Sequence, residues 1–400
     1  MPWLTDKEKP EVKTGLLLSG GGARAAYQVG VLKAFADILP KDTKNPFPIL
    51  CGSSAGAINA AALAIYADKY REAVWRLVHV WGNFHVDQVF RANFFGLTSS
   101  SAHWLAALML GGLGKYNPVA LLDRAPLLKL LEHNLPFQNI QKNIDNNLIH
   151  ALSITASSFT TGQSTAFYQG HESIDPWQRA RRAGIRTELN VKHLMASSAI
   201  PFVFAAEKVE DEFFGDGSMR QTAPISPALH LGADKIVVIG VKHSSEAPVL
   251  KNPGTNPSLG QLAGHVLDSI FLDNIDMDVE RLQRINKTFS RIPNKHIPTD
   301  SASLRQVELL HIAPSQDLYK IAQKHAELMP RSVRFFLHGI GVSKDRGSNL
   351  LSYLLFEKAY CRELMNLGYG DAMERRQEII QFFNLGYGEH LPLVSIPHEA

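Results

Sequence analysis

Ser54 stands between small residues in Gly52-Ser53-Ser54-Ala55-Gly56, after the apolar stretch "FPIL" and before an alanine-rich run. The spacing is that of a G-x-S-x-G nucleophile elbow. Small flanking residues allow a tight strand-to-helix turn that exposes the hydroxyl, and the helix amino terminus sets N–H groups and a positive dipole end beside a developing oxyanion. A serine hydroxyl is a poor nucleophile until a neighbouring group takes its proton.

A second block, Gly20-Gly21-Gly22-Ala23-Arg24-Ala25, comes after the apolar "GLLLS". Successive glycines let backbone approach a ligand and turn free N–H groups toward an anion. Two chemistries compete here. One is the dinucleotide turn G-x-G-x-x-A, with Asp37 or Asp42 as the ribose acid. The other is an oxyanion hole serving Ser54. A Walker loop is excluded, because the block lacks a trailing G-K-[ST]. A nucleotide site leaves the serine elbow at the next strand end unexplained, so the oxyanion hole is preferred.

The proton acceptor is harder to choose. The chain has 16 histidines, and His311, His325 and His338 come after the serine in the order an α/β-hydrolase uses. None sits in a glycine-bearing loop after a clear strand, and His325 and His338 fall in helical surroundings. "EFFGDGSMRQTAP" instead places Asp216 between glycines, where the carboxylate could bond a serine from elsewhere. An Asp-Gly turn is also a common structural device, so the chemistry alone does not decide.

Strand–turn–helix order occurs at residues 15–39 and again at 47–70, which predicts a largely parallel sheet under helices. "LIHALSITASSFTT" and "STAFYQG" read as strands about Thr161-Gly162-Gln163; "DKIVVIGVK" is a buried strand, and a further strand is expected near 306–315. Residues 84–134 read as a helical insertion, 244–258 as a loop, and 259–289 as helical. "NLGYG" at 366–370 and 384–388 reads as a recurring helix stop. The domain reading is a tail over 1–12, a catalytic domain over 13–245 and a mainly helical region over 246–400. The amphipathic "LLSYLLFEKAYCRELMNL" in that last region could seal the sheet edge, dimerise or touch membrane.

A 400-residue chain with 45% hydrophobic content can bury a large core. A formal charge of +3 gives no strong pull toward nucleic acid. Cys51 and Cys361 are too few for a disulfide framework or a thiolate zinc site. The amino terminus has no apolar signal core, and "WLAALMLGGL" is about half a membrane span in length. A cytoplasmic protein is expected, with peripheral contact at the inner membrane surface left open and the oligomeric state undetermined.

Together, "GGGARA", "GSSAG" and "DGS" resemble the patatin-like phospholipase family. "HLMASSAIPFVFAAEKV" and "APISPALHLGADKIVVIGV" around the aspartate are similar to it as well, so the resemblance spans residues 13–245. It implies a three-layer α/β/α sandwich with a largely parallel central sheet, extended by a mainly helical carboxy-terminal region. It also implies a Ser–Asp dyad in which Asp216 activates Ser54 and no histidine is needed. Gly21 and Gly22 would supply oxyanion N–H groups, and Gly20, Ala23 and Arg24 would shape the loop. The sequence departs from the family pattern at Ala25, where a glycine is usual, and at Ser218 in Asp216-Gly217-Ser218, where glycine or alanine is commoner. No metal or other cofactor is implied.

The expected substrate is a lipid acyl ester: phospholipid, lysophospholipid or acylglycerol. Phe94, Phe95, Trp104, Leu105, Leu108, Met109 and Leu110 could form a lipid-entry lip or pack on the core. Arg179, Arg181, Arg182 and Arg186 could meet anionic headgroups or form a solvated basic face. An acyltransferase using the same dyad, and a catalytically silent lipid-binding protein on the same fold, remain as alternatives.

Overall fold

The computed structural model describes residues 12–91, 122–201, 203–243, 273–291, 305–334 and 349–385. In chain order the strands are β1 (Thr14–Leu18), β2 (Ile49–Ser53), β3 (Ala151–Ser158), β4 (Ser164–Gly170), β5 (Trp177–Arg179), β6 (Arg182–Arg186), β7 (Glu207–Val209), β8 (Glu212–Asp216), β9 (Lys235–Ile239) and β10 (Glu308–Ile312). The helices are α1 (Ala26–Ile38), α2 (Ala55–Ile65), α3 (Tyr70–Trp81), α4 (Ala125–Asn134), α5 (Gln138–Asp145), α6 (Val191–Ser197), α7 (Ser226–His230), α8 (Asp273–Phe289), α9 (Leu318–Lys324), α10 (Asn349–Leu354), α11 (Lys358–Glu374) and α12 (Arg376–Phe382).

The strands form one sheet in the order β10-β9-β1-β2-β3-β4-β6-β5, with β8 pairing both β3 and β7. From β10 to β3 every neighbouring pair is parallel. Parallel strands covered on both faces read as continuous apolar runs, because neither face meets water. Alternation sorts the side chains: Leu16, Leu18, Leu50, Val237 and Ile239 join the core under α1, α2, α3 and α11. Leu17, Ile49, Cys51, Ile236 and Val238 join a second core under α7 and α8. The architecture is the expected three-layer α/β/α sandwich, with a mainly helical carboxy-terminal part that also contributes β10.

One detail of register decides where the chemistry sits. β4 occupies one edge of β3 along nearly its whole length. The other edge is shared: β2 ends with Ser53 opposite Thr155, and antiparallel β8 ends with Asp216 opposite Ala156. The ends of β2 and β8 therefore meet at successive residues of one strand.

The structure corrects the reading of the first "NLGYG". α11 runs straight through residues 366–370. Gly368 is there for closeness: a Cβ on it would collide with the Tyr27 carbonyl, and one on Gly30 would collide with the Met365 carbonyl. The two glycines let α11 cross α1 backbone to backbone. Of the second copy, Asn384 has a φ of 52° just after α12, and its glycines lie outside the described residues. α11 thus covers α1; the edge strand on its side of the sheet is β10.

The aromatic and leucine-rich positions Phe94 to Leu110 lie outside the described residues. The arginine-rich stretch forms β5 and β6 at the far sheet edge. Arg186 there donates to the carbonyls of Gly170, His171, Glu172 and Ile174, so its guanidinium is committed to folding that corner. Among the described residues no helix is long and apolar enough to cross a membrane.

Candidate active site

Ser54 caps α2 with φ 52° and ψ −132°, a backbone conformation that L-residues seldom adopt. Such strain persists only when its surroundings enforce it. Here the enforcing contact comes from α6: the Ser54 N–H donates to Ser197 Oγ at 2.8 Å, and Ser197 Oγ donates to the Thr155 carbonyl at 2.6 Å. The elbow is thereby pinned to β3. Ser197 lies in "HLMASSAIPF", yet a serine in an apolar stretch carries no mark of that role.

Asp216 is wholly buried. Its N–H donates to the Ala199 carbonyl at 2.9 Å, and its Oδ1 accepts the Ser218 N–H at 2.9 Å. Its Oδ2 is buried and makes no hydrogen bond to a described residue. Burial pushes the carboxyl from 3.8 up to about 7; the Ser54 and Ser218 groups and the Arg124 charge pull it down more weakly. Ser54 is thus near enough to favour the ionised form while no full hydrogen bond is closed between them. A carboxylate that accepts a proton near neutrality is suited to general-base work.

Arg124, just before α4, is a buried cation that the sequence reading missed. Its guanidinium donates to the carbonyls of Met195 and Ala205 and pairs with Glu207 at 2.8 Å. "DRAPLL" resembles any helix start, so no sequence signal distinguishes it.

The glycine block turns from β1 into α1. Gly22 has φ 55°, and a Cβ there would collide with the Tyr353 carbonyl, so both conformation and space require glycine. Gly22 and Ser54 share the wall of one cavity. The Gly20 N–H donates to Ser53 Oγ at 3.1 Å. Arg24 is buried, donates from Nε to Ser352 Oγ at 2.8 Å and stacks over the Tyr353 ring at 4.2 Å. Ala25 has φ −65°, so the methyl that replaces the usual hydrogen is accommodated.

The dinucleotide alternative finds little geometric support. Asp37 lies at the opposite end of α1 from the glycine block and approaches Arg71 at 3.9 Å. The histidines considered as bases are also elsewhere. His311 is on β10, burial lowering its pKa, and His325 pairs with Glu363 at 2.6 Å. His338 lies outside the described residues. The histidine on the cavity wall is His79, stacked on Trp75 with ring centroids 5.5 Å apart.

The cavity has Ser54 on its wall and runs between α2, α3 and α4, with about 1140 Å³ of space between atoms, open solvent included. Its walls are mostly apolar, with Ile58, Trp81, Phe84, Leu131, Phe204 and Phe356 among them. Trp81, Phe84 and Phe356 pack ring to ring, at centroid distances of 4.9 Å (Trp81–Phe84) and 5.8 Å (Phe84–Phe356). Nothing in the sequence around Phe356 announces that a residue so far along the chain lines this space.

A model of the family described as patatin-like phospholipase matches residues 16–229, more than half of the chain. The chain belongs to the patatin-like phospholipase family. Membership supports a lipid hydrolase. The matched region holds Ser54, Asp216 and the glycine block, whereas β9, β10, Tyr353 and Phe356 lie beyond it.

Among curated proteins, a cGAMP-activated phospholipase of Pseudomonas aeruginosa is 22% identical over 315 residues, covering 76% of this chain and 84% of that one. Among solved structures, VipD from Legionella pneumophila is similar at 13% identity and TM-score 0.31, covering 92% of this chain and 67% of that one. ExoU from Pseudomonas aeruginosa, in its complex with SpcU, is similar at 14% identity and TM-score 0.26, covering 86% and 70%. At these levels no residue role transfers from either structure.

Proposed function

We propose that this member of the family is a serine lipid acyl hydrolase of the phospholipase or lysophospholipase type, working through Ser54 and Asp216. The observation that carries the reading is a strained, cavity-facing serine beside a wholly buried carboxylate poised near neutral pH.

Asp216 accepts the Ser54 proton as Oγ attacks the ester carbonyl. The oxyanion of the tetrahedral adduct is held by N–H groups of Gly21 and Gly22, each such donor contributing about 3–4 kcal/mol in comparable sites. The adduct collapses to an acyl-serine, and Asp216 returns the proton to the departing alcohol oxygen. A water then attacks the acyl carbonyl, loses its proton to Asp216, and frees the fatty acid; the proton passes back to Ser54. The apolar cavity is the natural seat of the acyl chain. Acyl transfer to an alcohol would use the same residues and differs only in the second acceptor.

The test is fatty-acid release from phospholipids, lysophospholipids and acylglycerols with calcium chelated. It is run with and without cGAMP, because the Pseudomonas relative is cGAMP-activated. Loss in Ser54→Ala and Asp216→Asn, with release kept in a His311/His325/His338 triple alanine variant, supports the reading. Full release by Ser54→Ala overturns it.

A further inference from the structure

A chain of buried amides joins the wall of the apolar cavity to the glycine block. Trp81 Nε1, at the end of α3, donates to Asn59 Oδ1 on α2 at 2.8 Å. Asn59 Nδ2 donates to Gln28 Oε1 on α1 at 3.1 Å and to the Ala25 carbonyl at 3.3 Å. Gln28 Nε2 in turn donates to the Ser19 carbonyl at 2.8 Å. Asn59 and Gln28 are wholly buried, and Trp81, Ser19 and Ala25 are buried with them. Ser19 and Ala25 stand on either side of the glycines of the block, while Trp81 shares the cavity wall with Ser54.

The two ends fix the direction of this chain. An indole nitrogen can only donate, and a carbonyl oxygen can only accept. Trp81 therefore turns Asn59 Oδ1 toward itself, which leaves the amino group of that amide for Gln28 and Ala25. Gln28 Oε1 is thereby taken, so its own amino group faces Ser19. Flipping either amide would set N–H against N–H at one contact and oxygen against oxygen at another. A buried network in which each of these contacts is satisfied specifies one arrangement.

We propose that Asn59 and Gln28 are positioning residues: through them the Trp81 indole fixes the carbonyls on both sides of the glycine block, and so the pose in which that block meets the oxyanion. This rests on the reading of the block as an oxyanion hole and of the cavity as the acyl seat. The wall that packs on the acyl chain and the loop at the reacting carbonyl are then held by the same two amides. A phenyl ring at position 81 would keep an aromatic wall beside Phe84 but remove the donor that orients the chain.

The experiment has two readouts. In the first, kcat and KM are measured on a p-nitrophenyl ester of a long fatty acid for wild type, Trp81→Phe, Gln28→Met and the double variant. Methionine has nearly the shape of glutamine and lacks its amide. Each single variant is expected to lose about fivefold or more in kcat with KM within about twofold of wild type. The double variant is expected to lose no more than the larger single, because both substitutions break one chain. Strictly additive losses, or losses confined to KM, overturn the proposal. Trp81→Phe is the milder change and decides this readout alone should Gln28→Met not fold: a kcat within about twofold of wild type overturns the proposal.

The second readout needs no turnover. In protein with isotope-labelled indoles, the Trp81 N–H resonance, identified by its absence in Trp81→Phe, reports the bond to Asn59. It is expected to move in Gln28→Met while the Trp177 indole, at the far sheet edge, stays in place. Movement of both resonances, or of neither, overturns the chain. If Ser54→Ala keeps full fatty-acid release, the catalytic reading falls, and the indole resonance still decides whether the chain reaches from Trp81 to Gln28.

Discussion

The Arg24 guanidinium lies 4.2 Å from the centroid of the Tyr353 ring, and its Nε bonds Ser352, 328 positions along the chain. The glycine block is therefore braced by a helix from outside the region that the family model matches. A buried, stacked guanidinium cannot be replaced by lysine without losing the planar contact.

Arg24→Ala should cost about 2–4 kcal/mol, by loss of the stack and of a buried hydrogen bond. Urea unfolding measures that directly. Activity at temperatures where the variant stays folded should also fall, because the brace sets the glycine-block conformation.

At Gly22 the expected effect is steeper. Alanine there meets an unfavourable φ of 55° and the Tyr353 carbonyl at once. Gly22→Ala should lose at least tenfold in kcat with KM nearly unchanged, the outcome expected if this loop holds the oxyanion as proposed. Retention of full kcat would remove this loop from the chemistry.

Asp216→Asn separates activity from stability. A carboxyl whose folded pKa is raised contributes stability below its unfolded value near 3.8, and that contribution is lost as pH rises through about 7. The asparagine variant escapes this loss. It should melt above wild type at pH 8, by up to roughly 4 kcal/mol of stability, and the gap should close near pH 4. Scanning calorimetry at the two pH values checks the sign while fatty-acid release is abolished.

The cavity makes a prediction about chain length. Ile58 is part of its wall and only partly buried, so a larger side chain can enter the space without rebuilding the core. Ile58→Trp should depress turnover of long-chain esters more than that of a butyryl ester. Equal losses on both would place the acyl chain elsewhere.

Much of this was readable from residue types. The glycine block, the elbow and the Asp-Gly turn each join a strand to the next helical turn, and Leu16–Leu18 and Ile236–Ile239 carry the unbroken apolar pattern of a parallel strand. Long-range pairing could not be read. Nothing local in Ser53 or Asp216 says that they will face Thr155 and Ala156 in succession. Arg124, Ser197 and Phe356 are ordinary in their own neighbourhoods and gain their places only through packing. Gly368 shows the opposite error: a local signal for ending a helix was overridden by the close crossing with α1.

The distance in sequence between Arg24 and Tyr353 also has a consequence in time. A ribosome makes the elbow, the carboxylate and the glycine block well before it makes the helix that braces them. A nascent or prematurely ended chain would carry Ser54 and Asp216 yet lack Tyr353 beneath Gly22 and Phe356 in the cavity wall. The order of synthesis thus delays the bracing of the glycine block and the closing of the cavity wall until the chain has been extended through Phe356.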